Sequence, residues 1–184
     1  AGRSGDRLSP VTRDAAPVIS IRVDDLAFFD GEAIARPVTA ELRATTALLR
    51  RLESAGGDAL LKQLALQDPL PVGSAVVTGA GALGVELLVH AVVSSELEPV
   101  TPGSVRRAMT SAMQRAADWR IARLAFAPFG LGAGNLDIEE SAEIMTDVIQ
   151  RHLAHARFPE SVTIVVENDD ERRAFETLLS RAAS

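Results

Sequence analysis

IARLAFAPFGLGAGNLDIEESAEIMTDVIQRHLAHA, residues 121–156, passes from a short apolar run through a glycine-rich loop into a long amphipathic segment. The run Ile121–Ala127 predicts a buried strand, bounded by Pro128 and Gly130. After the loop, Ile138, Ala142, Met145, Ile149, Leu153 and Ala156 recur at helical spacing and predict a helix over Ile138–Ala156. A strand running through a short loop into a helix is the building unit of α/β proteins, and the unit is repeated downstream. Ser161–Glu167 reads as another strand, and Asp169–Ala183 as an amphipathic helix bearing Phe175, Leu178 and Leu179.

Upstream, Val85–Val93 (VELLVHAVV) is almost continuously apolar, as expected of a strand covered on both faces. The turn TGAGALG joins it to a strand at Ser74–Thr78. Residues 103–119 set Val105, Ala108, Met109, Ala112, Met113 and Ala116 on one stripe, a packing helix. PVISIRV (17–23) predicts the first strand, and Glu32–Arg36 a second that Pro37 ends. Leu42, Leu48, Leu49 and Leu52 place a helix over residues 40–54, stopped by Gly56-Gly57, with a short helix at Asp58–Leu66. The alternation of strand and helix implies a three-layer α/β/α sandwich around a mixed, largely parallel sheet. One domain over 17–184 is expected, preceded by a polar, Arg-dotted leader at 1–16.

Composition removes whole classes of function. There is no cysteine, hence no disulfide, thiol nucleophile or thiolate metal site. The 19 basic against 25 acidic residues give a net charge of −6, which disfavours nucleic acid as a partner held by the overall field. Any anion must be caught locally. Tyrosine is absent and aromatics are 4% of the chain, so base-stacking rows are lacking too. No apolar run reaches the roughly 18 residues needed to span a bilayer, and a cytoplasmic protein with no membrane partner is expected.

In an open α/β sheet, ligands sit beyond the carboxyl ends of the strands, which directs attention to the loop Gly130–Asn135. Gly130, Gly132 and Gly134 leave main-chain N–H groups uncovered ahead of a helix N-terminus, which suits an anion. The plain alternative is a flexible connection. Asp137 and Glu140 also have capping-box spacing, so the helix could satisfy its own N-terminus and repel phosphate.

Three segments together resemble macro domains, the ADP-ribose-binding modules: PVGSAVVTGAGALGVELLVHAVV (71–93), LAFAPFGLGAGNLDIEESAEIM (124–145) and SVTIVVENDDERRAFETLL (161–179). The resemblance spans roughly residues 18–180. It implies that Gly130, Leu131, Gly132, Ala133, Gly134 and Asn135 wrap the diphosphate and distal ribose of an ADP-ribose moiety. It also sets Asp25, within Asp24-Asp25-Leu26, on the family's "GDI" aspartate that bonds the adenine amine. Where family members read "DAIVNAAN" followed by a second Gly-rich loop, this chain reads EAIARPVT, with Arg36 and Thr39 at the asparagine positions and no glycine until Gly56. The resemblance therefore implies one missing phosphate loop. Arg36 or Arg43 would supply charge-assisted contacts in its place, or both are solvated surface arginines.

The remaining polar residues read as structural. His90, inside an apolar strand, is expected to be a satisfied core histidine. His152 and His155 share a helix face but lack a third metal ligand. Glu139, Glu140 and Glu143 are the acidic first turn favoured by a helix dipole. No serine lies in a nucleophile elbow. The expected function is weak or altered binding of an ADP-ribose-related nucleotide or another phosphate-bearing small molecule. Its rivals are a degenerate structural or protein-interaction module, self-association included, and an ADP-ribosyl hydrolase. No catalytic residue, metal or cofactor is assigned.

Overall fold

The structure, a computed structural model, describes residues 18–132 and 135–182. The leader proposed at 1–16 and the loop residues Ala133 and Gly134 lie outside the described residues. Six strands form one sheet: β1 (Val18–Val23), β2 (Ala33–Thr39), β3 (Ala75–Gly79), β4 (Leu87–Ser94), β5 (Arg123–Phe126) and β6 (Ser161–Val166). Their order is β1-β6-β5-β2-β4-β3, and only the β3–β4 pair is antiparallel. Four helices accompany them: α1 (Ala47–Ala65), α2 (Pro102–Asp118), α3 (Ile138–Leu153) and α4 (Asp169–Ala182). This is the expected three-layer sandwich around a mixed, largely parallel sheet.

Side-chain alternation along the strands sends apolar groups into two layers. On one face Ala35, Val89, Phe126 and Ile164 pack with α2, α3 and Phe175 of α4. On the other, Ile34, Leu88, Ala125 and Val165 meet Leu49, Leu52 and Leu60 of α1, together with Leu26 and Phe29 around a short 3-10 turn at Leu26–Phe28. The stripe predicted on α2 is buried throughout, from Val105 to Ala116. Its alanines let the helix lie close to the sheet, and each fully buried Val or Met contributes about 1.5–3 kcal/mol.

Three features around β2 and α1 differ from the sequence reading. Pro37 does not end β2, which continues to Thr39 with Pro37 in register opposite Ala91. The β5 ladder reaches only as far as Ala35, whose carbonyl accepts the Ala127 N–H. Residues two apart on a strand face the same side, so the missing N–H of Pro37 points where β5 has already ended. Residues 40–46 are not helical. Leu42 takes a left-handed backbone (φ 63°), and the helix begins only after Thr46, whose Oγ1 accepts the Leu49 N–H. The leucine spacing was fortuitous there, because Leu42 is buried by a turn rather than by a helix face. The predicted break at Gly56-Gly57 is a kink: Gly57 is non-helical, α1 resumes at Asp58, and the freed Gly56 carbonyl accepts the Ala82 N–H.

Candidate functional site

β2, β5 and β6 run parallel, so their carboxyl ends open on one side of the sheet. Beyond those ends lies a hollow of about 250 Å³. One wall is the start of α1, from Thr46 to Leu49 with Arg51. The other is Ala127, Pro128, Leu131 and Gly132 after β5, and Glu167 and Glu171 close one end.

The main chain determines what this hollow offers. Thr46 satisfies the Leu49 N–H, but among the described residues the N–H groups of Ala47 and Leu48 have no acceptor, nor do those of Leu131 and Gly132. Unpaired amides in a helix first turn carry the positive end of its dipole. Two sets of unpaired donors thus belong to residues that line one space. The loop closes on itself below them: Leu136 N–H donates to the Gly130 carbonyl, Asn135 N–H to that of Gly132, and Asn135 Nδ2 to that of Leu131 at 3.4 Å. Gly130 is buried against Val105 and Leu136. Gly132 is exposed at φ 135°, a conformation that disfavours any side chain.

α3 contributes less than its position suggests. Asp137 accepts the Glu140 N–H at 2.8 Å and the Glu140 carboxylate accepts the Asp137 N–H at 3.2 Å, so both halves of the capping box are closed. The donors come from α1 instead, the element for which the sequence reading left no cradle. The Thr45-Thr46-Ala47 step, a helix N-cap, was the signal that leucine spacing obscured.

The carboxylates qualify this picture. Arg51 Nη2 lies 3.5 Å from Glu167 Oε1, an exposed pair of little energetic weight. Glu171 is half-buried, and desolvation raises its carboxyl above the usual range. The Glu167 N–H donated to it lowers it again, and the neighbouring Glu167 charge raises it. A space with amides along its walls and carboxylates at one end suits a ligand that is anionic in one part and carries hydroxyl or amine donors in another.

Asp25 is exposed, caps the 3-10 turn through the Ala27 N–H at 3.0 Å, and lines a separate hollow of about 510 Å³ with Phe28, Asp30 and Arg51. Arg51 borders both hollows. Thr39 is half-buried, its Oγ1 accepting the Arg43 N–H at 3.3 Å, and neither it nor the exposed Arg43 lines either hollow. Arg51, Glu167, Glu171 and the Ala47–Leu48 amides were not identified from the sequence.

Arg36 corrects both sequence readings, since it is neither a phosphate contact nor a solvated arginine. It is 0% exposed. Its Nη1 donates to Glu53 at 2.6 Å, its Nε to His90 Nδ1 at 2.9 Å and its Nη2 to the Leu42 carbonyl at 3.3 Å. Burial lowers its affinity for a proton, which Glu53 counters. His90, the core histidine expected, accepts at Nδ1 and so holds its proton at Nε2, donated to Thr78 Oγ1 at 2.8 Å; that hydroxyl then donates to the Gly79 carbonyl at 2.9 Å.

Desolvation first, and the Arg36 charge second, push the His90 pKa well below the histidine range. In the unfolded chain it returns to about 6.5. The unfolded state therefore binds the extra proton, and stability is full above about pH 6.5 and falls as the pH drops below it, by up to about 1.4 kcal/mol per pH unit. Urea unfolding at pH 7.5, 6.5 and 5.5 is expected to show this slope, and His90→Gln to flatten it. An unchanged slope in the variant refutes the assignment.

A model of the Macro domain family matches residues 38–145. An uncharacterized protein of Mycobacterium tuberculosis H37Rv is 28% identical over 158 residues, covering 85% of this chain and 43% of that protein. The chain thus spans under half the length of its mycobacterial relatives. An uncharacterized protein of Aquifex aeolicus is 30% identical over 127 residues, covering 67% of this chain and 74% of its own. Among solved structures, the Oceanobacillus iheyensis macrodomain with ADP superposes at a TM-score of 0.82 and 16% identity, over 93% of this chain and 94% of that one. The Trypanosoma brucei macrodomain in complex with ADP-ribose gives 0.79 and 14%, over 88% and 68%.

Proposed function

This chain belongs to the macro domain family, and on that footing we propose that it binds an ADP-ribose-related nucleotide, weakly or with a specificity different from that of members carrying two glycine-rich loops. The observation that carries the reading is the pair of free amide sets, Ala47–Leu48 and Leu131–Gly132, on opposite walls of one hollow. Neutral donors fixed by the fold hold a diphosphate without an arginine. The Oceanobacillus and Trypanosoma structures, named with ADP and ADP-ribose, support the ligand class. Asp25 serves the adenine amine through the carboxylate oxygen that does not cap the 3-10 turn. Leu131 and Gly132, with Gly130 and Asn135 on either side, form the described part of the loop against the diphosphate and distal ribose. Weakness follows from the direction in which Arg36 points and from the Glu167 and Glu171 carboxylates, which oppose a phosphate across a small hollow.

At 1 mM ADP-ribose and a Kd of about 0.1 mM, mass action stabilises the fold by about 1.4 kcal/mol, or roughly 3–5 °C in Tm. Gly132→Val is expected to erase the shift, because a Cβ there sits 3.1 Å from Asn135 Nδ2 on a backbone that side chains avoid. Glu167→Gln is expected to enlarge it. A wild-type protein with no shift at 1 mM ligand refutes the reading in favour of the competing one, a scaffold without a nucleotide, to which the two carboxylates lend weight.

A further inference from the structure

Arg36 borders neither hollow, yet it bonds the two segments that flank the Ala47 and Leu48 amides, the turn at Leu42 and α1 at Glu53. Between β2 and α1 the chain makes an irregular turn through residues 40–46, and at its centre Leu42 holds a left-handed backbone that leucine disfavours. Such a conformation persists only where the surroundings over-determine it. Here the surroundings are specific: the Leu42 side chain is buried, and its carbonyl accepts from Arg36 Nη2. The same guanidinium reaches α1 through Glu53. Its orientation is set from the opposite side by His90, which Thr78 keeps in the tautomer with Nδ1 free to accept.

We infer that Arg36 is a positioning residue for the nucleotide hollow. By tying the Leu42 turn and α1 to β4 through one rigid fork, it fixes where the first turn of α1 presents its amides. At the position where the family's asparagine is implied to face the ligand, this chain carries a brace beneath the wall. A lysine cannot replace it, since an ammonium lacks the planar, multi-directional donor set. The inference rests on the nucleotide reading for its functional consequence but not for its structural one, and the test separates the two.

The triple variant Arg36→Met, Glu53→Leu, His90→Phe removes every charge of the network while roughly keeping volume, an exchange that buried ion networks often tolerate in stability. Calorimetry with ADP-ribose and amide hydrogen exchange are measured on the wild type, on this variant and on Arg36→Lys. The expected result is a triple variant with near wild-type Tm whose ADP-ribose affinity falls by at least about tenfold. Exchange should quicken at the hydrogen-bonded amides that flank the wall, Leu42, Arg43, Leu49 and Arg50, in both variants and stay unchanged in β6 and α4. A purely structural role predicts affinity that follows Tm. Wild-type affinity in the folded triple variant, or unchanged exchange at Leu42, Arg43, Leu49 and Arg50 in either folded variant, overturns the inference. If the wild type binds no ADP-ribose, the nucleotide reading fails, and the exchange arm alone decides whether Arg36 positions the wall. Should the triple variant not fold, Arg36→Lys carries the affinity comparison against its own Tm, because lysine keeps the charge and loses the fork that reaches Glu53 and Leu42 together.

Discussion

Glu53→Ala is expected to lower the unfolding free energy by about 3 kcal/mol, measured by urea denaturation near neutral pH. Removing one member of a buried ion pair leaves the other charge uncompensated, which costs about 3–5 kcal/mol. The lower figure applies because the Glu53 side chain keeps 19% of its surface exposed, so water can reach the vacated side, while Arg36 retains its bonds to His90 and to the Leu42 carbonyl. An exposed pair of the same composition contributes about 0–1 kcal/mol, and Arg51 with Glu167 provides that control in the same molecule. Arg51→Ala should therefore leave stability almost unchanged. Equal losses in the two variants would show that Arg36 is not isolated from solvent in the manner described.

Gly81→Ala is expected to cost about 2–4 kcal/mol, combining a left-handed backbone with overpacking. Gly81 has φ 61°, and a Cβ there would meet the Gly56 carbonyl oxygen and approach the Leu60 N to 3.0 Å. Both obstacles are main chain, which cannot rotate aside. The clash falls where the β3–β4 turn grips the kink of α1, so the loss should appear in thermal unfolding and as fraying of the second half of α1. Gly84→Ala, in the same turn with its nearest foreign atom at 3.6 Å, should be close to neutral. A mild Gly81→Ala would mean that the turn and the kink do not pack as described.

Most of the architecture was legible because it rests on short-range periodicity. VELLVHAVV could be only a strand buried on both faces, and the alanine–methionine stripe of α2 only a packing helix. The closed capping box at Asp137 and Glu140 was readable from spacing alone. What escaped depended on neighbours remote in the chain. Pro37 is tolerated in a central strand because the next strand stops short, and nothing near Pro37 states that. Leu42 mimicked a helical position while serving a turn. Arg36 has its acceptor in His90, 54 residues away, so its identity as an internal cation required the β2–β4 pairing. For the site, the glycine loop was conspicuous. The donors on α1 were not, since any side chain can occupy a helix first turn whose amides are the functional part.

The two sides of the sheet are clad unequally: three helices cover one, and a single kinked helix with a 3-10 turn covers the other. Thermal agitation therefore has a preferred outlet. The thin layer rests on fewer elements, so local opening there costs less than dismantling the molecule. One wall of the hollow, Thr46–Leu49, belongs to that thinner layer, so local opening of the fold would widen the hollow from that side first.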